Sequence, residues 1–322
     1  MLRFEDMNRT EPILGIVVPC YNEEAVLVDS AAKLALALAG LVAGKLVSAD
    51  SFIAFVDDGS RDETWTLISQ MALGNPLFRG LKLAANVGHQ NALLAGLLSY
   101  GPKADCLISI DADLQDDIAV MAEMVKKFQA GAEIVYGVRS ERRVDSWFKR
   151  TTALAYYKIL KWLGVKIVYN HADFRLIGRR ALAALAEFRE VNLFLRGLVP
   201  LLGFKTDTVY YDRLERLQGE TKYSLRKMLH FAFEGITSFS VAPLRLITAL
   251  GFLIFIGSLV LSAYVIFGLL FLKVVSGWAS TVLPMYLLGG IQLLALGIIG
   301  EYLAKIYREV KDRPRFIIED QI

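Results

Sequence analysis

The chain has 322 residues, 55% of them apolar, with 36 Lys and Arg against 33 Asp and Glu for a formal net charge of +3. So apolar a chain is neither disordered nor fibrous, and it exceeds the roughly 45–50% of a soluble domain even though Gly is not counted. The near-balance of charge excludes the basic signature of a nucleic-acid binder.

The excess apolar mass therefore sits in particular segments, and reading in chain order locates them. The start, MLRFEDMNRTEP, has no apolar run of the kind a signal peptide needs, which predicts a cytoplasmic N-terminal domain. ILGIVVPCYN reads as a strand entering a loop, and 25–46 as a helix. SFIAFVDDGS is a second strand ending in acids and Gly, followed by a helix over 62–73 that Ser60 or Asp62 would cap. RGLKLAANVG is a third strand, 91–99 a helix, DCLISIDADLQ a fourth strand, 118–130 a helix and AEIVYGVRS a fifth strand. Strand–helix alternation of this kind predicts an α/β domain with a mostly parallel sheet. Cys20 and Cys106 fall inside apolar strands and read as buried reduced thiols.

Further along, WFKRTTALAYYKILKWLGVK (147–166) mixes aromatics with basic residues, as does 223–240. Both suit helices lying at a membrane interface, and the first equally suits an ordinary packing helix. No charged residue occurs in 246–272 or in 281–300, and each run is long enough for the about 20 residues of a transmembrane helix. Arg226, Lys227 and Arg245 precede the first run. Lys305, Arg308, Lys311, Arg313 and Arg315 follow the second, and Lys273 alone lies between. Positive flanks stay cytoplasmic, so the expectation is a hairpin with both ends inside and Trp278 and Tyr286 at the outer interface. Gly289, Gly290, Gly297 and Gly300 suit close packing in a homo-oligomer and equally suit an isolated span in lipid. The expected organisation is a cytoplasmic catalytic domain over 1–222 and a juxtamembrane helix over 223–243. Two transmembrane helices follow within 244–305 (about 246–272 and 281–303), then a cytoplasmic tail over 306–322.

In a mostly parallel sheet, ligands bind beyond the carboxyl ends of the strands. Four strand ends carry polar clusters: Tyr21-Asn22-Glu23, Asp57-Asp58-Gly59-Ser60, Asn86-Gly88-His89-Gln90 and Asp111-Ala112-Asp113. All four should converge on one edge. Asp111 and Asp113 flank a single residue and offer hard oxygen ligands for Mg2+ or Mn2+ carrying a diphosphate. Taken alone, the pair also fits two solvated loop acids. Gln115, Asp116 and Asp117 continue the polar run, with Gln115 in reach of the metal's water shell. Asp57 and Asp58 are placed to accept hydrogen bonds from a nucleobase or ribose. Neither a G-x-G-x-x-G after the first strand nor a P-loop is found, against a dinucleotide enzyme or P-loop NTPase.

In order, PCYNEE (19–24), DDGSRDET (57–64), NVGHQNALLAG (86–96), DADLQD (111–116), GVRSER (137–142), DFRL (173–176) and GETKYSLRKM (219–228) resemble glycosyltransferase family 2. The closest resemblance is to its polyprenyl-phosphate glycosyltransferases, the group of dolichol-phosphate mannosyl and bactoprenyl-phosphate glucosyl transferases. The resemblance implies a GT-A (Rossmann-like) fold, a nucleotide-sugar donor, a divalent metal and inversion at the anomeric carbon. It places Pro19, Tyr21, Glu23, Asp57, Asp58 and Asp111 on the nucleotide, and Asp111, Asp113 and Gln115 at the metal. The Q-x-x-R-W motif of processive synthases is not found.

A lipid phosphate acceptor is already anionic near neutral pH, so positioning and electrostatics should dominate over base catalysis. Cations should hold it: Arg139, Arg142, Arg143, Arg150, Arg175 and Lys222 are candidates, with Arg139 and Arg175 foremost. Asp173 orients an arginine, binds a sugar hydroxyl or acts at the acceptor. The expected activity is transfer of one sugar, glucose from UDP-glucose, to undecaprenyl phosphate at the inner membrane. GDP-mannose or a modified pentose donor would leave the motifs unchanged. A processive synthase and a silent membrane scaffold are the other readings. A two-helix hairpin is too small to export the product, so a separate flippase and a downstream glycosyltransferase are expected partners.

Overall fold

The structure, a computed structural model, describes residues 11–139, 171–190, 195–212, 242–271 and 277–322. The expected helices at 147–166 and 223–240 therefore lie outside the described residues, as do Arg142, Arg143, Arg150 and Lys222.

Eight strands form one sheet in the order β7-β5-β6-β4-β1-β2-β3-β8. They are β1 (Leu14–Cys20), β2 (Phe52–Asp57), β3 (Phe78–Leu83), β4 (Cys106–Ser109), β5 (Ile134–Arg139), β6 (His171–Gly178), β7 (Thr206–Tyr211) and β8 (Ile318–Gln321). The first five match the strands expected from the sequence. The centre, β1, is buried at all seven positions and pairs in parallel with β2 and β4. That burial explains why its sequence is apolar without alternation. Helices α1 (Glu24–Ala43), α2 (Thr64–Gly74) and α4 (Met121–Gln129) pack on the face lined by Ile16, Val18, Phe55 and Ile108. Helix α3 (His89–Tyr100) covers the other face. A Cβ at Gly96 would stand 2.5 Å from a Val17 methyl and 2.7 Å from one of Val56, so only glycine lets α3 lie this close to the sheet.

By length and composition α1 would be able to cross a membrane. Its Leu27, Ala31, Leu34, Leu38 and Leu41 are instead buried in the core of the α/β unit.

Two strands run against the rest. β6, which carries the DFRL segment, inserts between β4 and β5 and is antiparallel to both. β8 is antiparallel to β3 at the sheet's edge. Residues expected to form a cytoplasmic tail thus close the sheet: Gly80 and Ile322 exchange both backbone hydrogen bonds, at 2.8 and 3.0 Å. The sequence of β8, short and with three of four residues polar, has no strand periodicity to announce it.

Helices α5 (Arg179–Ala186) and α6 (Leu195–Leu201) complete the α/β unit. A second compact unit holds α7 (Ala242–Phe271) and α8 (Trp278–Val310), while Arg313–Ile322 belongs with the sheet. The described parts of the two apolar runs are therefore helical; α7 begins before its run, and α8 extends past its run at both ends.

Candidate active site

Register explains which acids meet. Ser109 of β4 lies opposite Arg175 of β6. Two residues further toward the same edge, Asp111 leaves β4 and Asp173 sits on β6. Because β6 is antiparallel, its beginning lies at the carboxyl ends of its neighbours. Asp173 is therefore carried to Asp111 by a strand that runs the other way. His89, the first residue of α3, stands between them, with Nε2 3.5 Å from Asp111 and 3.9 Å from Asp173.

The DADLQD turn is shaped by its own backbone. Leu114 adopts φ +42°, and its N–H donates to the Asp111 carbonyl at 3.2 Å. A left-handed leucine costs roughly 1–2 kcal/mol, offset here by burial of its side chain. Ser30 of α1 donates to the Ala112 carbonyl at 2.6 Å and holds the turn from below. Asp113 points outward, exposed, and accepts from the Gln115 side-chain amide. Gln115 itself is buried.

Electrostatics divides the edge into a negative and a positive corner. Burial pushes the Glu23 carboxyl up, and Asp113, Asp62 and Asp111 push it further. Asp111 is likewise raised, first by burial and then by Asp173, Asp116 and Asp113, with His89 opposing. Mutual repulsion among Glu23, Asp111 and Asp113 fits a hard divalent cation, which Asp111 and Asp113 would hold. Among the described residues no three His, Cys, Asp or Glu side chains form a ready-made cage. The cation would complete its shell with water and nucleotide phosphate, as Mg2+ commonly does.

At the positive corner Asp173 is clamped by two arginines. Arg175 donates to Oδ1, while Arg196 of α6 donates from Nε to Oδ1 at 3.2 Å and from Nη2 to Oδ2 at 2.9 Å. Burial alone would raise Asp173; Arg175 and Arg196 instead hold it far below the usual carboxylate range. The expectation that Arg175 meets the acceptor phosphate does not fit its position. Its side chain is 1% exposed, bound to Asp173 and, through Nη1 at 3.4 Å, to the Leu195 carbonyl. Arg139 ends β5 and donates to Asp116 at 3.0 and 3.3 Å, bracing the acidic turn while remaining partly exposed.

The nucleotide-side residues also sort themselves. Tyr21 is exposed and Glu23 half-exposed at the edge, whereas Pro19 is buried inside β1. Asp57 and Asp58 are buried too. Asp57 accepts from the Ser60 N–H, and Asp58 accepts from Val87 and Gly88 N–H at 2.7 and 3.0 Å. Asp57 thus closes its own β2–α2 turn, while Asp58 ties that loop to the β3–α3 loop. Gly59 sits where those loops touch, at φ +66° with its would-be Cβ 2.7 Å from Asn86 N. Cys20 and Cys106 are free and buried, as expected.

Sequence reading missed Arg196. Nothing in VNLFLRG marks it; it reaches the site only because α6 packs beside β6. His89 was one residue of a strand-end cluster, but its place between two carboxylates depends on the antiparallel β6.

The profile of Glycosyl transferase family 2 matches residues 15–185. The uncharacterized glycosyltransferase YkoT of Bacillus subtilis (strain 168) is 52% identical over 313 residues, 97% of this chain and 93% of that protein. A prophage bactoprenol glucosyl transferase homolog of Escherichia coli (strain K12) is 38% identical over 311 residues, 95% and 98% of the two chains. The bactoprenol glucosyl transferase of Shigella phage SfII is 40% identical over 269 residues, 83% and 86% of the two chains. Among solved structures, mannosyltransferase PcManGT from Pyrobaculum calidifontis in complex with GDP-Man and Mn2+ aligns over 94% of this chain and 88% of its own. That alignment has 14% identity and a TM-score of 0.43.

Proposed function

The chain belongs to glycosyl transferase family 2, and from that premise we propose that it transfers a single sugar from a nucleotide sugar to a membrane polyprenyl phosphate. The observation that carries the reading is the meeting of opposite charges at one sheet edge. Asp111, Asp113 and Glu23 form its acidic corner, and Asp173 with two arginines its basic one. Relatives named bactoprenol glucosyl transferases, matched over most of the chain, support glucosyl transfer to a polyprenyl acceptor; undecaprenyl phosphate and UDP-glucose are the acceptor and donor of this reading.

An oxygen of the acceptor phosphate attacks the anomeric carbon with inversion. The bond from that carbon to the donor's diphosphate breaks, and its electron pair leaves with the nucleoside diphosphate. A phosphate monoester is largely ionised at neutral pH, with its second pKa near ~6, so no proton must be removed. That suits Asp173, whose clamped carboxylate is an orienting anion rather than a base. Asp111 and Asp113 would hold Mg2+ or Mn2+, which when bound neutralises the leaving diphosphate. Tyr21 and Glu23 line the nucleotide side. Arg139 contributes from β5 to the acceptor side, where Arg142, Arg143, Arg150 and Lys222 are the other proposed contacts.

The acceptor's insolubility gives α7 and α8 their role as a membrane hairpin. At 1.5 Å per residue, their 30 and 33 residues extend about 45 and 50 Å, beyond the ~30 Å hydrocarbon core. Leu246, Phe252, Leu253 and Val260 on α7 and Met285, Leu293 and Leu296 on α8 are exposed, as lipid-facing side chains would be. Topology supports an even number of crossings. The α/β unit precedes α7, and β8 after α8 pairs with the same sheet. With an even number of crossings the two flanks of the hairpin would share one face of the membrane, in this reading the cytoplasmic face of the inner membrane. The hairpin glycines 289, 297 and 300 have open space where a Cβ would stand, consistent with close approach of a second copy. Moving the product across the membrane would fall to a separate flippase, and its use to a downstream glycosyltransferase.

The test is to incubate membranes containing the chain with labelled UDP-glucose, Mg2+ or Mn2+ and undecaprenyl phosphate. Label in the organic phase is expected. Its absence with UDP-glucose, GDP-mannose and pentose donors alike would overturn the reading.

A further inference from the structure

Neither α1 nor α2 is capped by the side chain of its own N-cap residue. Each draws on the loop of the other. Glu23 N–H donates to Thr64 Oγ1 at 2.9 Å and Glu24 N–H to Asp62 Oδ2 at 3.3 Å, while Glu63 N–H donates to Glu24 Oε2 at 3.0 Å. Of the two caps expected for α2, Asp62 does accept the Thr64 N–H, at 3.1 Å. Ser60 turns away, and its hydroxyl accepts the N–H of Asn22 at 3.0 Å. Asn22 answers with its side chain, whose Oδ1 accepts the N–H of Arg61 at 2.9 Å. The loops after β1 and β2 are thus stitched together in both directions. Asn22 sits at the centre of the seam with φ +55°, a left-handed conformation open to Gly and Asn and costly for most other side chains. Its two neighbours in the chain are Tyr21 and Glu23, which line the nucleotide side of the edge.

Resting on the sugar-transfer reading, we propose that Asn22 is a positioning residue for the donor: held by Ser60 and Arg61, it fixes the turn from which Tyr21 and Glu23 meet the nucleoside diphosphate. Asn22 touches no substrate in this role. Asparagine meets two demands at once, a left-handed backbone and a side-chain acceptor for the opposite loop. Glycine would meet only the first, and aspartate would add a negative charge to loops that already hold Glu23 and Asp62. A turn fixed before the donor arrives lowers the ordering cost of binding. The seam joins the starts of α1 and α2, whereas the basic corner is built from β6 and α6, so its loss falls on the donor and not on the acceptor.

The test uses the full chain in detergent or lipid with UDP-glucose, Mn2+ and undecaprenyl phosphate, together with calorimetric titration of UDP or GDP. Asn22→Gly keeps the backbone and loses only the side-chain bond, so the donor KM should rise about threefold. Asn22→Ala loses both, and the rise should reach about tenfold or more. The acceptor KM should stay within about twofold in each. The affinity for the nucleoside diphosphate should fall in the same order, without any turnover. Ser60→Ala should resemble Asn22→Gly, and Ser60→Thr, which keeps the hydroxyl, should restore the donor KM. A merely structural role would lower the thermal midpoint and leave the donor KM of the folded protein unchanged. That unchanged donor KM in Asn22→Ala overturns the assignment, as does an equal rise in both KM values. If Asn22→Ala does not fold, Asn22→Gly decides by the same two outcomes. A wild type that transfers no sugar and binds neither UDP nor GDP instead overturns the underlying reading.

Discussion

Strands β2 and β4 flank β1, and both end in a pair of acids at the same edge, but the two pairs have opposite fates. Asp57 and Asp58 turn inward, buried, and accept backbone N–H groups, Asp57 from Ser60 of its own loop and Asp58 from the β3–α3 loop. Asp111 and Asp113 leave β4 through a left-handed turn that keeps Asp113 in solvent and sets Asp111 facing β6. One pair builds the scaffold of the edge and the other is available to ligand. The difference comes from what lies beside each strand end. Beyond β2 is the β3–α3 loop, whose N–H groups need acceptors. Beyond β4 is an antiparallel strand that brings a third carboxylate and Arg175, with Arg196 of α6 on the same carboxylate.

Isosteric amides should separate the pairs most sharply. Asp113→Asn keeps shape but removes charge from the proposed metal site, and transfer should fall by about 10²-fold or more. The thermal midpoint should stay close to wild type, because Asp113 is exposed. Asp58→Asn keeps an acceptor oxygen for only one of the two loop N–H groups and turns an NH2 toward the other, so it should cost part of what Asp58→Ala costs; burial raises the Asp58 carboxyl, so the charge itself adds no stability at neutral pH. The Asn variant should remain active, whereas Asp58→Ala should lose about 1–3 kcal/mol in denaturant unfolding. Full activity in Asp113→Asn, or abolished transfer in a folded Asp58→Asn, would erase the distinction.

The positive corner gives the largest stability effect. Asp173→Ala would leave Arg175 buried without its carboxylate, a loss of about 3–5 kcal/mol by analogy with broken buried pairs. The pH dependence follows from the lowered carboxyl of Asp173. A carboxylate with a folded pKa below its unfolded value of about 3.9 stabilises above that value and loses the contribution as the pH falls toward the folded one. Wild type should therefore exceed Asp173→Asn in stability at pH 7, and the gap should close in acid below about pH 4. A gap constant from pH 7 to 3 would mean that ionisation of Asp173 is not what the arginines stabilise.

Much of this edge was legible in the sequence, in proportion to how local its causes are. The parallel strands β1, β2 and β4 announce themselves as apolar runs leading into acids, because a strand buried on both faces has no need to alternate. The DADLQD turn is likewise local. What remained hidden depends on pairing partners distant in sequence. That Asp173 faces Asp111 follows from the β4–β6 register. That Arg175 is buried follows from Leu195 and Asp173 closing around it. Nothing in DDGSRDET tells that Asp58 turns inward, since the N–H groups that draw it belong to Val87 and Gly88. The strand β8 was illegible because its pairing is set by the open edge of β3, not by its own residues.

That edge yields the smallest effect, and one that reaches back to the site. Arg315, between α8 and β8, donates from Nη2 to the Phe188 carbonyl at 2.7 Å. Phe188 follows α5 in the stretch that leads to Leu195 and Arg196. The segment after the second long helix thus both closes the sheet and fastens one end of the connection carrying the basic corner. A charged donor to a single carbonyl is worth about 1.5–3 kcal/mol at most, and less where water competes. Arg315→Ala should therefore cost about 1 kcal/mol, a shift of a few degrees in thermal midpoint for a chain of this size. Its acceptor KM should rise about two- to threefold with the donor KM unchanged, because the displacement reaches the basic corner and not Asp113. Arg315→Lys should restore most of the stability. A donor KM that rose with the acceptor KM would show instead that the two corners of the edge are mechanically one, and that the division drawn between them fails.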